Sequence, residues 1–387
     1  MHICFLCNEY PPTPHGGIGT MTQILARALV LRGHRVSVVG IYGRNETNNK
    51  SHVENDRGVT VYRIPASPIP ATGYIVNGWR LRRTLQEIGH DNFIDVLDGP
   101  ENGFSLIAKS FPSVKIIRMS GGHHFFSVTL GKKTRVWRSW LERQSFRKAD
   151  HFCAVSQFAA NTTKRLLKMP DMPVEIIPNP VDIRLFSPEA DVLEQKDLIV
   201  FSGTVCEKKG VRQLVDAFVK VSTVFPDANL VINGKDSIEP ETKGSYIEYL
   251  RRKIPPHLLS KIHFNGHVAL EYLPKIYSKA AVLVFPSHME TQGMVVTEGM
   301  AMGKVVIASK TGPGTELIDD GVNGLLCDPF DPASIAERII YALSNAALRR
   351  KLGMAAREKI EREFSVDILV KKNLDFYKKC LMTVCKT

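Results

Sequence analysis

Glu290 and Glu298 stand eight residues apart in the run from Pro286 to Gly303, where the residue types offer the most chemistry. The run follows an apolar segment, 282–285, suited to a buried strand, and leads into a helix expected at 295–302. Were the whole interval helical, the two carboxyls would be separated by ~12 Å of rise. A retaining glycosidase needs its pair ~5–5.5 Å apart, so the two do not read as one hydrolytic pair. Glu290 instead falls in the loop and Glu298 inside the helix. The amides of Gln292, Gly293, Met294 and Val295 at the helix start suit a diphosphate. A carboxylate just outside that start could grip sugar hydroxyls, and one further along could hold a ribose diol. A surface cap followed by a solvated helix position fits the same residues equally well.

A second candidate is the glycine-rich loop Pro11-Pro12-Thr13-Pro14-His15-Gly16-Gly17-Ile18-Gly19-Thr20. It follows a first apolar strand and opens a helix, so its backbone N–H groups could approach a phosphate. No Gly-Lys-Ser/Thr follows, and the glycines do not form a clean G-x-G-x-x-G. An ordinary strand–helix turn also fits. Cys4 and Cys7 have C-x-x-C spacing, but residues three apart on a strand point to opposite faces, so they read as core thiols. The seven cysteines are scattered and read as reduced. Asp319-Asp320 beside a glycine turn reads as surface, and no metal site is expected.

These residues need a scaffold of strands ending where the loops begin. Strands are expected at 2–7, 36–40, 59–64, 93–98, 114–119, 151–155 and 174–177, with a helix over 18–31 and Gly33 just past its end. After Pro178-Asn179-Pro180 and the polar stretch 187–197 the pattern restarts. Strands follow at 198–202, 230–233, 262–264, 282–285 and 305–308. Helices are expected at 211–225, 244–253, 270–279, 295–302, 333–344 and 347–363, and from 366 to the end. Such alternation implies parallel sheets with ligands at the carboxyl ends of the strands. With 387 residues, two domains are the default: 1–187, 188–365, and a last helix 366–387 crossing back to the first.

The formal charge of +12 is lopsided, with 24 Lys+Arg against 14 Asp+Glu in residues 1–185. That suggests an anionic partner such as a membrane surface, a pyrophosphate-linked acceptor or nucleic acid, or else simple solubility. The basic run 134–148 carries Trp137, Trp140 and Leu141 on one helical face; it could lie on an anionic membrane or pack on the core. The chain start reads as a strand rather than a signal peptide, and no apolar stretch is long enough to cross a membrane.

The Glu290–Glu298 stretch resembles the E-x7-E signature of family 4 (GT4-type, group 1) retaining glycosyltransferases of the GT-B fold. The likeness runs along nearly the whole chain. Residues 1–40 resemble the family's opening strand, Gly-Gly loop and next strand. Ile176-Ile177-Pro178-Asn179-Pro180-Val181-Asp182 with Phe186 and Pro188 resembles its linker, with Pro180 in place of the usual Gly. Gly203 through Gly210 resembles its G-R-L-x-x-x-K-G turn, and Gly312 to Glu316 and Asp320 to Leu325 its later turns.

The resemblance implies an α/β fold of two facing Rossmann-like domains with a cleft between them, an acceptor domain first and a nucleotide-sugar domain second. It implies that Glu290 contacts donor-sugar hydroxyls, that Glu298 holds the ribose, and that Lys209 neutralises the leaving diphosphate. Gly17 and Gly203 match backbone positions near the phosphates. Thr204 stands where the family often has Arg, so one diphosphate-binding cation is either missing or supplied elsewhere, by Lys208 or Arg212. Ser120 stands where the family has a histidine, and His123, ahead of His124, is expected to take its place in the catalytic pocket.

The implied reaction is transfer of a hexose from a UDP-sugar, UDP-glucose foremost, to a saccharide or lipid-linked acceptor in polysaccharide or glycoconjugate synthesis. It is retaining, metal-independent and without cofactor. The expected setting is the cytoplasm, with peripheral contact at the inner face of the membrane, and no nucleic acid is expected as a partner. The alternatives are a sugar-nucleotide epimerase of the same fold and a nucleotide-sugar-binding protein without turnover.

Overall fold

The computed structural model describes residues 1–69, 73–129, 131, 136–169, 172–189 and 191–384. It divides into two compact units, Met1–Pro180 with Val366–Thr387, and Val181–Ser365. The first runs β1 (His2–Leu6), α1 (Gly17–Leu31), β2 (Arg35–Tyr42), β3 (His52–Asp56), β4 (Val59–Pro65), α2 (Gly73–Asp91), β5 (Val96–Gly99), β6 (Val114–Met119), α3 (His123–Thr129), α4 (Val136–Lys148), β7 (His151–Ala154), α5 (Gln157–Leu167) and β8 (Glu175–Ile176). Its sheet has the order β3-β4-β2-β1-β5-β6-β7-β8 and is parallel except for the edge strand β3. β1, β5 and β6 are buried on both faces, as the inner strands of a parallel sheet are, even though β5 carries Asp98 and β6 carries Lys115 and Arg118. The chain winds outward from β1 through β2 to β4, then from β5 through β6 to β7. The order therefore reverses between β1 and β5, and loops at the carboxyl ends beside such a reversal form the ligand site of open α/β sheets.

The second unit repeats the scheme: β9 (Leu198–Ser202), α6 (Val211–Val224), β10 (Asn229–Asn233), α7 (Tyr246–Lys253), β11 (Ile262–Gly266), α8 (Leu273–Lys279), β12 (Val282–Phe285), α9 (Met294–Ala301), β13 (Val306–Ser309), α10 (Gly314–Leu317), β14 (Leu325–Cys327), α11 (Pro332–Leu343) and α12 (Ala346–Glu363). All pairings in the order β11-β10-β9-β12-β13-β14 are parallel. Here the reversal lies between β9 and β12, the strands whose carboxyl ends carry Gly203 and Glu290.

The last helix, α13 (Val366–Val384), belongs to the first unit. A buried polar knot ties it there. Arg118 on β6 is paired with Asp98 on β5 (Nη2 to Oδ2, 2.8 Å). Arg118 also donates to Asn373 Oδ1 (2.7 Å), and the Tyr377 hydroxyl donates to Asp98 (2.8 Å). Arg32 on α1 adds an ion pair to Asp367 (2.6 Å).

The sequence places the domain boundary in the polar stretch after 187, whereas the units divide at Pro180. The reason is local: the Val181 amide donates to Phe364 O (2.9 Å) and Phe186 packs beside Tyr277, so 181–187 fold with the second unit. Six elements among the described residues were not anticipated: α2, α3, α5, α10, β3 and β14. α2 buries only Gly73, Gly78, Leu85 and Ile88, too thin a stripe to register as helical periodicity. β3 is a mostly exposed edge strand, and β14 has three residues.

Candidate active site

The side chains around Glu290 are positioned by two turns of the second unit. β12 ends at Phe285, the chain loops through Glu290, and α9 begins at Met294 with Gly293 as its cap in the left-handed region at φ 88°. β9 ends at Ser202, and Gly203 follows at φ 146°. Lys209 then lies on a short turn before α6. Gly210 joins the two loops: at φ 68°, a Cβ there would lie 1.9 Å from Pro286 O. The His288 amide donates to Lys208 O (2.9 Å). Backbone contacts thus bring the Lys209 turn against the Glu290 loop.

Lys209 Nζ forms an ion pair with Glu290 Oε1, and Ser287 Oγ donates to the same oxygen (3.1 Å). Burial works against the Glu290 charge, but Lys209, Lys208 and the two hydrogen bonds outweigh it and hold the carboxyl below its ordinary range. Gln292, Gly293 and Met294 sit at the α9 start, with Gln292 2% exposed.

Glu298 is different. It is 5% exposed, and its carboxyl has no hydrogen-bond or ion-pair partner among the described residues. Burial alone pushes it up to about 7. The buried Tyr277 ring lies within electrostatic reach of it. A buried carboxyl without partners is costly and calls for an explanation such as a ligand. The reading as a solvated helix position is therefore corrected.

Arg212, one candidate for the charge missing at Thr204, is engaged by a carboxylate. Its guanidinium is taken by Glu207 (Nη2 to Oε1, 2.8 Å), which also accepts from Tyr246 (2.6 Å) and Gln213 (2.8 Å). Burial disfavours the Glu207 charge, yet these partners hold its carboxyl down at about 2. Lys208 lies close enough to Glu290 to stabilise its charge.

Gly17 and His123 belong to the first unit. Gly17 begins α1 after β1, and His123 begins α3 after β6. One amide of the glycine-rich loop is already engaged, because Gly19 N donates to the Glu9 carboxylate (2.8 Å). Gly19 has a packing reason too, since a Cβ there would meet Glu9 O at 2.0 Å. His124 is tied into the packing of α3 on α4 through Ser139 Oγ (3.0 Å), and His123 Nδ1 lies 3.4 Å from Ser127 Oγ.

On α4, Leu141 is buried, but Trp137 and Trp140 remain 49% and 58% exposed. The reading that all three pack on the core is corrected for the tryptophans. Thr134 and Arg135 of that basic run lie outside the described residues, as does Cys385. The six described cysteines are free thiols. Among the described residues no group of three or more His, Cys, Asp or Glu is placed to hold a metal, and no helix is long and apolar enough to cross a membrane.

Sequence reasoning did not find Glu101 and Glu142, two buried carboxyls beneath the loop that carries His123. Nothing in their neighbours marks them, because the loops that bury them are far apart along the chain.

Two family models match. Residues 15–185 match glycosyltransferase family 4, and residues 183–359 match glycosyl transferases group 1. An uncharacterized glycosyltransferase of Methanocaldococcus jannaschii is 27% identical over 98% of both chains. Among solved structures, sucrose-phosphate synthase from Thermosynechococcus elongatus superposes with a TM-score of 0.83 at 21% identity, over 99% of each chain. HepE of Anabaena, in complex with UDP and glucose, superposes with a TM-score of 0.79 at 19% identity, over 98% of this chain and 100% of that one. Two adjoining parallel α/β units, matched in order by the two models and along their length by these folds, make the chain a member of the group 1, family 4 glycosyltransferases of the GT-B fold.

Proposed function

We propose that this protein is a retaining hexosyltransferase that passes glucose from UDP-glucose to a saccharide or lipid-linked acceptor in polysaccharide or glycoconjugate synthesis. The observation that carries the reading is the buried carboxyl of Glu298, which meets no hydrogen-bond or ion-pair partner among the described residues, one turn inside α9 and next in sequence to the loop where Lys209 holds Glu290. A ribose diol supplies the donors this carboxylate lacks. The diphosphate lies at the amides of Gln292, Gly293 and Met294 and beside Gly203, with Lys209 opposing the charge that grows as the sugar–phosphate bond breaks. Glu290 takes the sugar hydroxyls. HepE, with UDP and glucose bound, supports this choice of donor.

The sugar C1–O bond to the diphosphate breaks, and the acceptor oxygen attacks from the same face. The acceptor proton passes to the departing diphosphate oxygen, so no enzymic nucleophile, metal or cofactor is required. Gly17 and His123 serve the acceptor side.

Glu298→Gln tests the reading through two effects of opposite sign. The lost charge-assisted hydrogen bonds, about 1.5–3 kcal/mol, should weaken UDP binding by one to two orders of magnitude. The same change should stabilise the unliganded protein at pH 8. A carboxyl raised to about 7 when folded contributes stability in full below its unfolded value, and that stability is lost as pH rises through 7; glutamine removes this dependence. Titration calorimetry and thermal unfolding measure the two. Unchanged UDP affinity sinks the assignment.

A peripheral membrane setting at the cytoplasmic face follows from the same reading. All three tryptophans of the chain, Trp79, Trp137 and Trp140, are about half exposed, and Tyr74 on α2 packs edge-on to Trp137 on α4 (6.1 Å). Arg80, Arg82, Arg83 and Arg138 are interleaved with them. Aromatic rings among basic side chains suit the interface of an anionic bilayer, where each cation contributes about 1 kcal/mol. The protein should sediment with anionic vesicles and not with neutral ones. Replacing Trp137 and Trp140 by Ser should release it; sedimentation unchanged by that pair of substitutions removes these rings from any contact.

A further inference from the structure

Glu101 stands two residues past the end of β5 and is 2% exposed; Glu142 stands in the middle of α4 and is 1% exposed. Both side chains close on the turn 120–124, which joins β6 to α3. Glu101 Oε1 accepts from the amides of Ser120 (2.8 Å) and Gly121 (2.7 Å). Glu142 Oε2 accepts from the amide of His124 (3.0 Å). Gly122 lies between them. A Cβ on Gly122 would come within 1.8 Å of Glu142 Oε1 and 3.0 Å of Glu101 Cβ. The turn that presents His123 is therefore hung from two buried carboxyl groups, Glu101 at its start and Glu142 at its end.

We propose that Glu101 and Glu142 hold one proton between them, and that this shared proton keeps the 120–124 turn, and His123 with it, in place. The two are positioning residues. The part played by His123 rests on the transferase reading; the shared proton does not.

Two carboxylates buried against one short turn, each within electrostatic reach of the other, resist being ionised together. Their recorded donors are neutral amides, which do not cancel two charges. Of the charged groups around them, α4 supplies Arg143, whose charge favours ionised Glu142 but whose Nη1 donates to Leu167 O (2.8 Å). The turn supplies His123 and His124, and the His124 ring is held toward its neutral form by burial, then by Arg143 and His123. β5 and β6 supply Asp98 and Arg118, which satisfy each other. Burial raises Glu101 to about 7 against its amide contacts. Burial raises Glu142 to about 7 as well, with the Glu101 charge adding to it.

The sign follows. A carboxyl raised on folding keeps its proton when the unfolded chain has lost it. Its stabilising contribution is complete below the ordinary glutamate range and disappears as pH climbs through about 7. Beyond that, two buried anions push the turn apart.

Glu142→Gln and Glu101→Gln each keep an acceptor oxygen for the amides and remove one titrating group; either serves should the other not fold. Urea unfolding followed by tryptophan fluorescence should show the wild-type midpoint falling between pH 5 and pH 8, and falling less in either variant. Hydrolysis of UDP-glucose by the wild type should decline on the alkaline side by about tenfold per pH unit, while the variants hold their rate. Identical pH dependence of unfolding in all three proteins overturns the shared proton. A separation in unfolding with identical activity profiles overturns the positioning of His123. If no protein turns over any donor, the transferase reading fails, and the unfolding arm still decides the proton.

Discussion

Lys209→Ala is expected to lower kcat/KM for UDP-glucose turnover by about 10²–10³-fold, or about 2.7–4 kcal/mol, while leaving the protein folded. The magnitude is that of removing one preorganised charge from the point where a leaving group becomes anionic. The ammonium sits at the carboxyl end of the sheet, held by Glu290 and only 21% exposed, so little solvent screens it. Removing it has a second effect, because the largely buried Glu290 loses its cation and its carboxyl rises toward protonation. The two causes can be separated. If Lys209 only neutralises Glu290, pairing Lys209→Ala with Glu290→Gln should bring turnover back. If it opposes diphosphate charge, the double variant is slower than Glu290→Gln alone, whereas a merely neutralising lysine leaves the two equal. Lys209→Arg should recover only part of the rate, since a planar fork replaces a compact point charge. UDP release across a donor panel measures all of these, and full activity in Lys209→Ala removes the lysine from the reaction.

Much of this arrangement could be read before the structure, for physical reasons that differ by element. Strands β1, β9 and β12 are buried on both faces and their sequences are nearly unbroken apolar runs, so they stand out. The loops after β9 and β12 carry Gly203, Lys209, Glu290 and Gly293 within short spans, where spacing and the family likeness both speak. α2 was obscure because Arg80, Arg82, Arg83 and Glu87 leave it a thin apolar stripe. The engagement of Arg212 was hidden because its nearest carboxylate, Glu207, lies five residues before it, at a spacing no helix rule flags. Glu101 and Glu142 were invisible for a deeper reason. Burial decides their chemistry, and it is produced by two loops and a helix brought together only by folding. The burial of Glu298 belongs to the same class: the sequence shows a glutamate in a helix, and only the packed structure shows it enclosed with no ion-pair partner among the described residues.

Asp98→Ala should be the most damaging single change to the first unit. Asp98 and Arg118 are both nearly inaccessible, and the alanine leaves a buried guanidinium whose remaining partners are the neutral Asn373 and Tyr377. Stripping one member from such a pair costs about 3–5 kcal/mol. At about 2–4 °C per kcal/mol for a unit of this size, the transition should fall by roughly 6–20 °C. All three tryptophans lie in the first unit, so fluorescence follows that unit while circular dichroism follows both. The fluorescence midpoint should drop while a later dichroism phase keeps its place. Replacing the pair together, Asp98→Leu with Arg118→Met, removes both charges and should recover much of the loss, because the cost comes from the stranded cation rather than from a missing attraction. The knot also fixes the last helix, since Asn373 and Tyr377 sit on α13. A chain shortened before Val366 should therefore show the same early fluorescence transition as Asp98→Ala. If shortening leaves that transition unmoved, α13 is a passenger on the first unit and the Asp98–Arg118 pair stands without it.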